Sequence, residues 1–222
     1  MRVNKSFIVK RSEETKRAML AASKQLSAYI HHVLVDNKQH LWIAQREGRA
    51  KDGLDKTNAA LISMLLLNKP KDMAIAQYLE TLNIVPVSIS YEYDPCDADK
   101  AKELAQRELS GEYVKEEGED FKSITQGMAG YKGKIHLTFG EPLRGDYADS
   151  KAIASAIDDQ IIQHYKLYDS NLSAYSQLTD KEQPLIDTMK ARIHALNAEQ
   201  QRWLLTMYAN PVIAKKALSE SW

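Results

Sequence analysis

The sequence contains a single cysteine, Cys96, among its 222 residues. An intramolecular disulfide and a thiolate metal cluster are therefore excluded. Cysteine this scarce suits a reducing compartment such as the cytoplasm. Cys96 also lies in the polar turn Asp94-Pro95-Cys96-Asp97, where neighbouring carboxylates disfavour the thiolate that a nucleophile requires.

Long hydrophobic runs are also missing from the chain. The longest, Ala59 to Leu67, is interrupted by Ser63 and falls far short of the ~20 residues that a membrane-spanning helix needs. The first residues contain no apolar segment of the kind found in signal peptides. We therefore expect a cytoplasmic protein whose membrane contact, at the inner face, is peripheral.

The sequence also has no excess of positive or negative charge. Thirty lysines and arginines balance thirty aspartates and glutamates. A net charge of zero argues against a dedicated nucleic-acid surface or a polybasic membrane surface. Local basic pockets stay compatible with this balance.

Apolar and β-branched runs alternate with amphipathic stretches along the first two thirds of the chain. The sequence predicts strands at 6–10, 41–44, 84–89 and 135–139, with helices between them. Such alternation favours an α/β fold with a mostly parallel sheet flanked by helices. We expect this domain to span residues 1–170, followed by a helical C-terminal extension over 171–222.

A charged turn follows the second predicted strand. It runs from Arg46 to Gly53 and includes Glu47, Gly48, Arg49 and Lys51. Glycines allow close approach of the backbone to a ligand, and arginine matches phosphate oxygens two at a time. Composition alone favours a solvated charged turn, because such turns are common.

Arg11 strengthens the binding hypothesis because it follows the first predicted strand. The carboxyl ends of parallel strands meet at one edge of a sheet, where ligands bind. The sequence thus predicts a phosphate site formed by six residues: Arg11, Arg46, Glu47, Gly48, Arg49 and Lys51. His136 and His164 have no second ligand at metal-ligand spacing, so no metal site is predicted.

Three blocks of the sequence resemble the glycerolipid acyltransferases, which acylate glycerol 3-phosphate and 1-acylglycerol 3-phosphate. Residues 6–11 resemble the block ending in Phe-Ile-x-Arg, and residues 42–53 resemble the block Phe-Pro-Glu-Gly-Thr-Arg-Ser. Residues 84–87 resemble the later hydrophobic block with its proline. Residues 134–143 are similar to the strand that closes the family's domain, so the resemblance covers most of the predicted domain.

The resemblance implies transfer of a fatty acyl group from an acyl-coenzyme A or acyl-carrier-protein thioester to a glycerol hydroxyl, in phospholipid synthesis. It implies that Arg11 and Arg49 bind the phosphate, with Glu47 orienting an arginine. No further cofactor is implied. The family's His-x-x-x-x-Asp motif, which supplies the catalytic base, should precede the first block. We therefore expect the chain to begin inside the domain, to lack a catalytic base and to be inactive alone.

His31 and Asp36 match His-x-x-x-x-Asp literally but lie between the first two blocks. Residues five apart on an α-helix differ by about 140° around the axis, so their side chains should not meet. Two alternatives to the enzyme stay open. One is a non-catalytic module that binds lipid phosphate or another anion, and the other is a helical interaction protein that binds through its C-terminal tail.

Overall fold

The computed structural model describes residues 15–45, 50–179 and 184–220. The first predicted strand, at 6–10, lies outside these residues. The described residues form two compact units. The first contains 15–45, 56–86 and 141–158, and the second contains 50–55, 87–140, 159–179 and 184–220.

The described part of the chain is mainly helical. The helices are α1 (Lys16–His31), α2 (Ala59–Leu66), α3 (Ile75–Leu82), α4 (Asp97–Ser110), α5 (Glu119–Ala129), α6 (Ser150–His164), α7 (Asp169–Leu178), α8 (Asp187–Ile193) and α9 (Ala198–Glu220). A π-helical turn, His32–Asp36, continues α1. The strands are β1 (Val87–Tyr91) and β2 (Ile135–Phe139).

The prediction of a mostly parallel sheet is wrong. Within the described residues, β1 and β2 form a two-stranded antiparallel sheet in which Ile89 pairs with Leu137. Parallel pairing was expected because predicted strands alternate with helices along the chain, but two helices, α4 and α5, separate these strands. The chain therefore re-enters the sheet at the end where β1 leaves it, opposite Tyr91.

The second predicted strand, Leu41–Ala44, is irregular in the structure. Its side chains are apolar enough for a strand, but a strand also needs a neighbour that accepts its backbone hydrogen bonds. Trp42 of this segment is 65% exposed. An apolar run of four residues is therefore insufficient evidence for a strand.

The first unit packs α1 against α2, and α3 against the π-helical turn. Ile30, Ile62 and Leu79 are among its buried residues. Ser27 joins the first two helices because its hydroxyl donates to Leu65 O at 3.0 Å and accepts from Asn68 N at 3.1 Å. This pair of bonds fixes the spacing of α1 and α2.

The second unit is built around α9, which packs against α4 and α7. Sequence periodicity predicts two helices here, divided at Pro211, but the structure has one helix of 23 residues. Proline removes one backbone hydrogen bond from a helix. Leu204, Leu205 and Val212 are buried on both sides of Pro211, and their packing stabilises the continuous helix.

A buried ionic network joins the end of β1 to α4, α8 and α9. Asp97 accepts hydrogen bonds from Arg192 at 2.5 Å and from Tyr208 Oη at 2.8 Å. Burial raises the pKa of the Asp97 carboxyl, although the charge of Arg192 opposes that shift. Arg192 also lies over the ring of Tyr93, 4.7 Å from its centroid. Both charges of this pair are therefore satisfied, and the network has a structural role.

Candidate functional site

Five of the six residues predicted to bind phosphate lie outside the described residues. They are Arg11, Arg46, Glu47, Gly48 and Arg49. The predicted phosphate site therefore stays a prediction. Lys51, the sixth residue, is described, and so is the segment from Ala50 to Asp55 that ends the charged turn.

The end of the charged turn is fixed against α4 and α9. Lys100 Nζ donates to Ala50 O at 2.9 Å, and Asn210 Nδ2 donates to Asp52 O at 2.7 Å. Gly53 has φ +76° and lies against the backbone of Met207. Because L side chains rarely adopt this φ, glycine is required here both by conformation and by space.

Lys51 forms an ion pair with Glu103 of α4, whose side chain is only 6% exposed. Arg107 also binds this carboxylate, with Nη2 2.8 Å from Oε1. A buried carboxylate needs such partners, since desolvating an unpaired charge is costly. Lys51 therefore anchors the turn. Whether it also binds phosphate stays a prediction.

Glu103 is a residue that sequence reasoning missed. It lies in an acidic, helix-forming stretch and carries no distinguishing pattern of its own. Its importance comes from contact with Lys51, 52 positions earlier in the chain. What distinguishes Glu103 is the burial of its carboxylate, and burial cannot be read from the sequence.

The histidine and aspartate of the literal motif have different partners. His31 Nδ1 lies 3.2 Å from Tyr78 Oη, and the two rings stack with centroids 5.7 Å apart. Asp36 instead pairs with His32, at 2.7 Å from its Nδ1. Both side chains of this pair are more than half exposed. We therefore assign His32 and Asp36 to a surface pair at the end of the helix.

An open groove runs between α1 and α2. Its volume is about 650 Å³, within the range of about 300–1,000 Å³ typical of small-molecule sites. Met19, Leu20, Met64 and Leu67 supply an apolar wall. The remaining lining residues are small or polar, apart from one cation: Thr15, Lys16, Ser23, Ala60 and Ser63.

Helix α5 is amphipathic in an unusual orientation. Its polar and small face points inward: Gln126 donates to Pro95 O, and Cys96 Sγ donates to Ser123 O at 3.6 Å. The opposite face carries an apolar stripe, in which Phe121 and Met128 are 76% and 73% exposed. Such an exposed stripe is typical of helices that contact a partner or a lipid surface.

Neither a metal cluster nor a spanning helix occurs in the ranges that the structure describes. No three histidine, cysteine, aspartate or glutamate side chains there could together hold a metal ion. No helix there combines the length and the apolar character needed to cross a membrane.

Comparison of the chain with known protein families, with curated proteins and with solved structures gives no match.

Proposed function

We propose that this chain serves the transfer of a fatty acyl group from a thioester to the hydroxyl of glycerol 3-phosphate or 1-acylglycerol 3-phosphate. The observation that carries the proposal is the groove between α1 and α2. It supports the proposal, beside the sequence blocks that resemble acyltransferases, because its apolar wall offers a surface on which an acyl chain can pack. Phospholipid synthesis is the process in which this reaction occurs.

The groove has the chemistry that a fatty acyl chain requires. A polymethylene chain gains about 0.8 kcal/mol for each CH₂ removed from water, and the apolar wall offers such a surface. The two methionines, Met19 and Met64, suit a flexible chain because their unbranched side chains adapt to irregular shapes. Lys16, which also lines the groove, supplies a positive charge for the polar end of the ligand.

The reaction itself needs a base and no cofactor beyond its acyl thioester. The acceptor hydroxyl oxygen attacks the thioester carbonyl carbon, its proton passes to the base, and the carbon–sulfur bond breaks to release the thiol. We assign no catalytic residue in this chain. His31 stacks on Tyr78, and the His32–Asp36 pair is exposed.

These same observations favour the alternative, a module that binds lipid phosphate or another anion without chemistry. His31 contacts Tyr78 and not a carboxylate, and the His32–Asp36 pair lies exposed on the surface, so neither histidine is held in an enclosed site as a general base. The exposed stripe of α5 supports peripheral contact with a lipid surface under either hypothesis. The two hypotheses share a ligand and differ only in acyl transfer.

A charge placed in the groove is expected to weaken acyl binding. Leu20→Asp should raise the dissociation constant for palmitoyl-coenzyme A about tenfold or more, because a carboxylate would lie against the chain. Isothermal titration calorimetry below the micellar concentration of the ligand measures this. Ile213→Asp is the matched control, since Ile213 is 47% exposed and Leu20 is 49% exposed. Equal affinities of the two variants would refute the groove assignment.

Removal of the predicted phosphate ligands is expected to weaken binding of glycerol 3-phosphate. Arg11→Ala and Arg49→Ala should each lower the affinity about tenfold, since a hydrogen bond between charged groups contributes about 1.5–3 kcal/mol. Lys24→Ala, a change of a cation on exposed α1 surface, should leave the affinity unchanged. Wild-type affinity in both arginine variants would count against the enzyme and the binding module alike.

A further inference from the structure

The two-stranded sheet is oriented with its polar face inward. Ser88 and Ser90 of β1 are buried, with exposures of 3% and 0%. The hydroxyl of Ser88 donates to Ile161 O at 3.1 Å, and the hydroxyl of Ser90 accepts from Lys166 N at 2.8 Å. The chain therefore covers the β1 half of the serine face with its own backbone, while His136, which lies opposite Ser90 on β2, is exposed.

The apolar face of the same sheet is exposed. Side chains alternate between the two faces of a strand, so the residues next to the serines point outward. The antiparallel register places Ile89 opposite Leu137 and Tyr91 opposite Ile135. The exposed fractions lie between 36% and 64% for five large residues: Ile89, Tyr91, Ile135, Leu137 and Phe139.

We propose that this apolar sheet face is the interface of a homodimer, in which it packs against the same face of a second copy across a two-fold axis. An aromatic side chain carries roughly 150–250 Å² of surface, and isoleucine and leucine lie at the low end of this range. At the exposures above, the face offers on the order of 500 Å² per copy, or about 1,000 Å² for a pair, which reaches the threshold for a specific interface. An apolar patch of about 500 Å² is as large as the largest patch on a typical monomer, and patches of that rank are often functional.

The face is self-complementary, which favours a second copy over an unrelated partner. A two-fold interface uses one patch twice, so the patch must tolerate its own charge and shape. Neither strand contains lysine, arginine, aspartate or glutamate, so no like charges meet. Two twisted sheets pack face to face at a spacing of about 10 Å, and the alternating large side chains of both copies can interdigitate there.

Pairing also explains why so small a sheet persists. An isolated two-stranded sheet is marginal in water, and an apolar face needs packing for independent stability. The inward serines contribute hydrogen bonds but little apolar burial. A second copy would supply the burial that the first copy lacks.

The test is self-association measured by sedimentation velocity over a wide concentration range. Wild-type protein is expected to form a reversible dimer. Leu137→Lys should raise the dimer dissociation constant a hundredfold or more, because each interface would then bury two like charges. Leu109→Lys is the matched control: Leu109 is 78% exposed on α4 and lies outside the sheet, so its variant should dimerise like wild type.

Hydrogen exchange of the wild-type protein gives a second measurement that needs no variant. Amides of residues 135–139 should exchange more slowly as dimer forms, while those of 105–110 in α4 should be unaffected. A wild type that stays monomeric at every concentration would overturn the proposal. So would dimerisation that Leu137→Lys leaves intact. A monomer whose binding to phosphatidylcholine vesicles is lost in Leu137→Lys would assign the face to lipid instead and also overturn it.

Discussion

Arg192→Ala is expected to lower the free energy of unfolding by about 3–5 kcal/mol, the usual cost of removing one partner from a buried ion pair. The effect is large because the substitution leaves a buried carboxylate without its cationic partner. Asp97 has a side chain only 5% exposed, and without the guanidinium its charge would be desolvated and poorly compensated. Urea-induced unfolding at neutral pH measures the loss.

The same variant should show a characteristic pH dependence. Burial raises the pKa of Asp97, and the charge of Arg192 lowers it again in part, so the variant's pKa should lie higher still. Between the unfolded and folded pKa values the folded state binds more protons, and stability falls as pH rises through this window. The deficit relative to wild type is therefore expected to be largest at neutral pH and to shrink under mildly acidic conditions.

Lys190→Ala provides the matched control for this prediction. Lys190 lies on the same helix, α8, and pairs with Asp187, whose side chain is 95% exposed. Exposed pairs contribute about 0–1 kcal/mol, so the control should unfold almost like wild type at every pH. A loss in Arg192→Ala no larger than in Lys190→Ala, or a deficit that grows in acid, would contradict the structural role of the network.

Local patterns predicted several elements of the fold correctly. Periodicity and the break at Pro70 predicted the helix α2, and the alternation of Ile135, Leu137 and Phe139 predicted the strand β2. Both signals depend on residues close in sequence. The direction of strand pairing does not, because β1 and β2 are joined by α4 and α5 and pair across more than forty residues. The prediction of a parallel sheet was wrong because it depended on this pairing direction.

The sequence also did not predict which face of each element would be buried. The sequence shows that α5 has an apolar face, and burial of that face is the ordinary expectation. The structure places Phe121 outward and Ser123 inward instead. The nearly continuous apolar run at 84–89, which contains most of β1, predicts a strand covered on both faces, and this prediction is wrong, since Ile89 is 38% exposed. A pattern identifies which face is apolar, but only packing determines where it points.

The candidate site was predicted in part. Residue types and order pointed to the charged turn, and its phosphate-binding role stays a prediction. The anchor of the turn on Glu103 and the groove beside Met64 depend on contacts between distant parts of the chain. No pattern in the sequence predicts that the segment beginning at Thr15 and the segment ending at Leu67 line one groove.

Gly53→Ala is expected to lower the free energy of unfolding by about 2–5 kcal/mol. A left-handed backbone costs an L side chain about 1–2 kcal/mol, and Gly53 has φ +76°. The added Cβ would also lie 2.9 Å from the carbonyl carbon of Met207 and closer still to its oxygen. These are backbone atoms of α9, which cannot yield without moving the helix, and such overpacking costs about 1–3 kcal/mol more.

Gly111→Ala separates the two contributions to this prediction. Gly111 has φ +79° at the end of α4, but an added Cβ there meets nothing within 4 Å. Gly111→Ala should therefore lose only the stability that the left-handed backbone costs an alanine. The difference in the free energy of unfolding between the two variants, measured in urea, then gives the cost of the clash with Met207. If the charged turn binds phosphate, Gly53→Ala should also weaken glycerol 3-phosphate binding at temperatures where it is still folded, while Gly111→Ala should not. Equal stabilities of the two variants would show that the turn is not held against α9, and the case for a fixed phosphate-binding turn would lose its structural support.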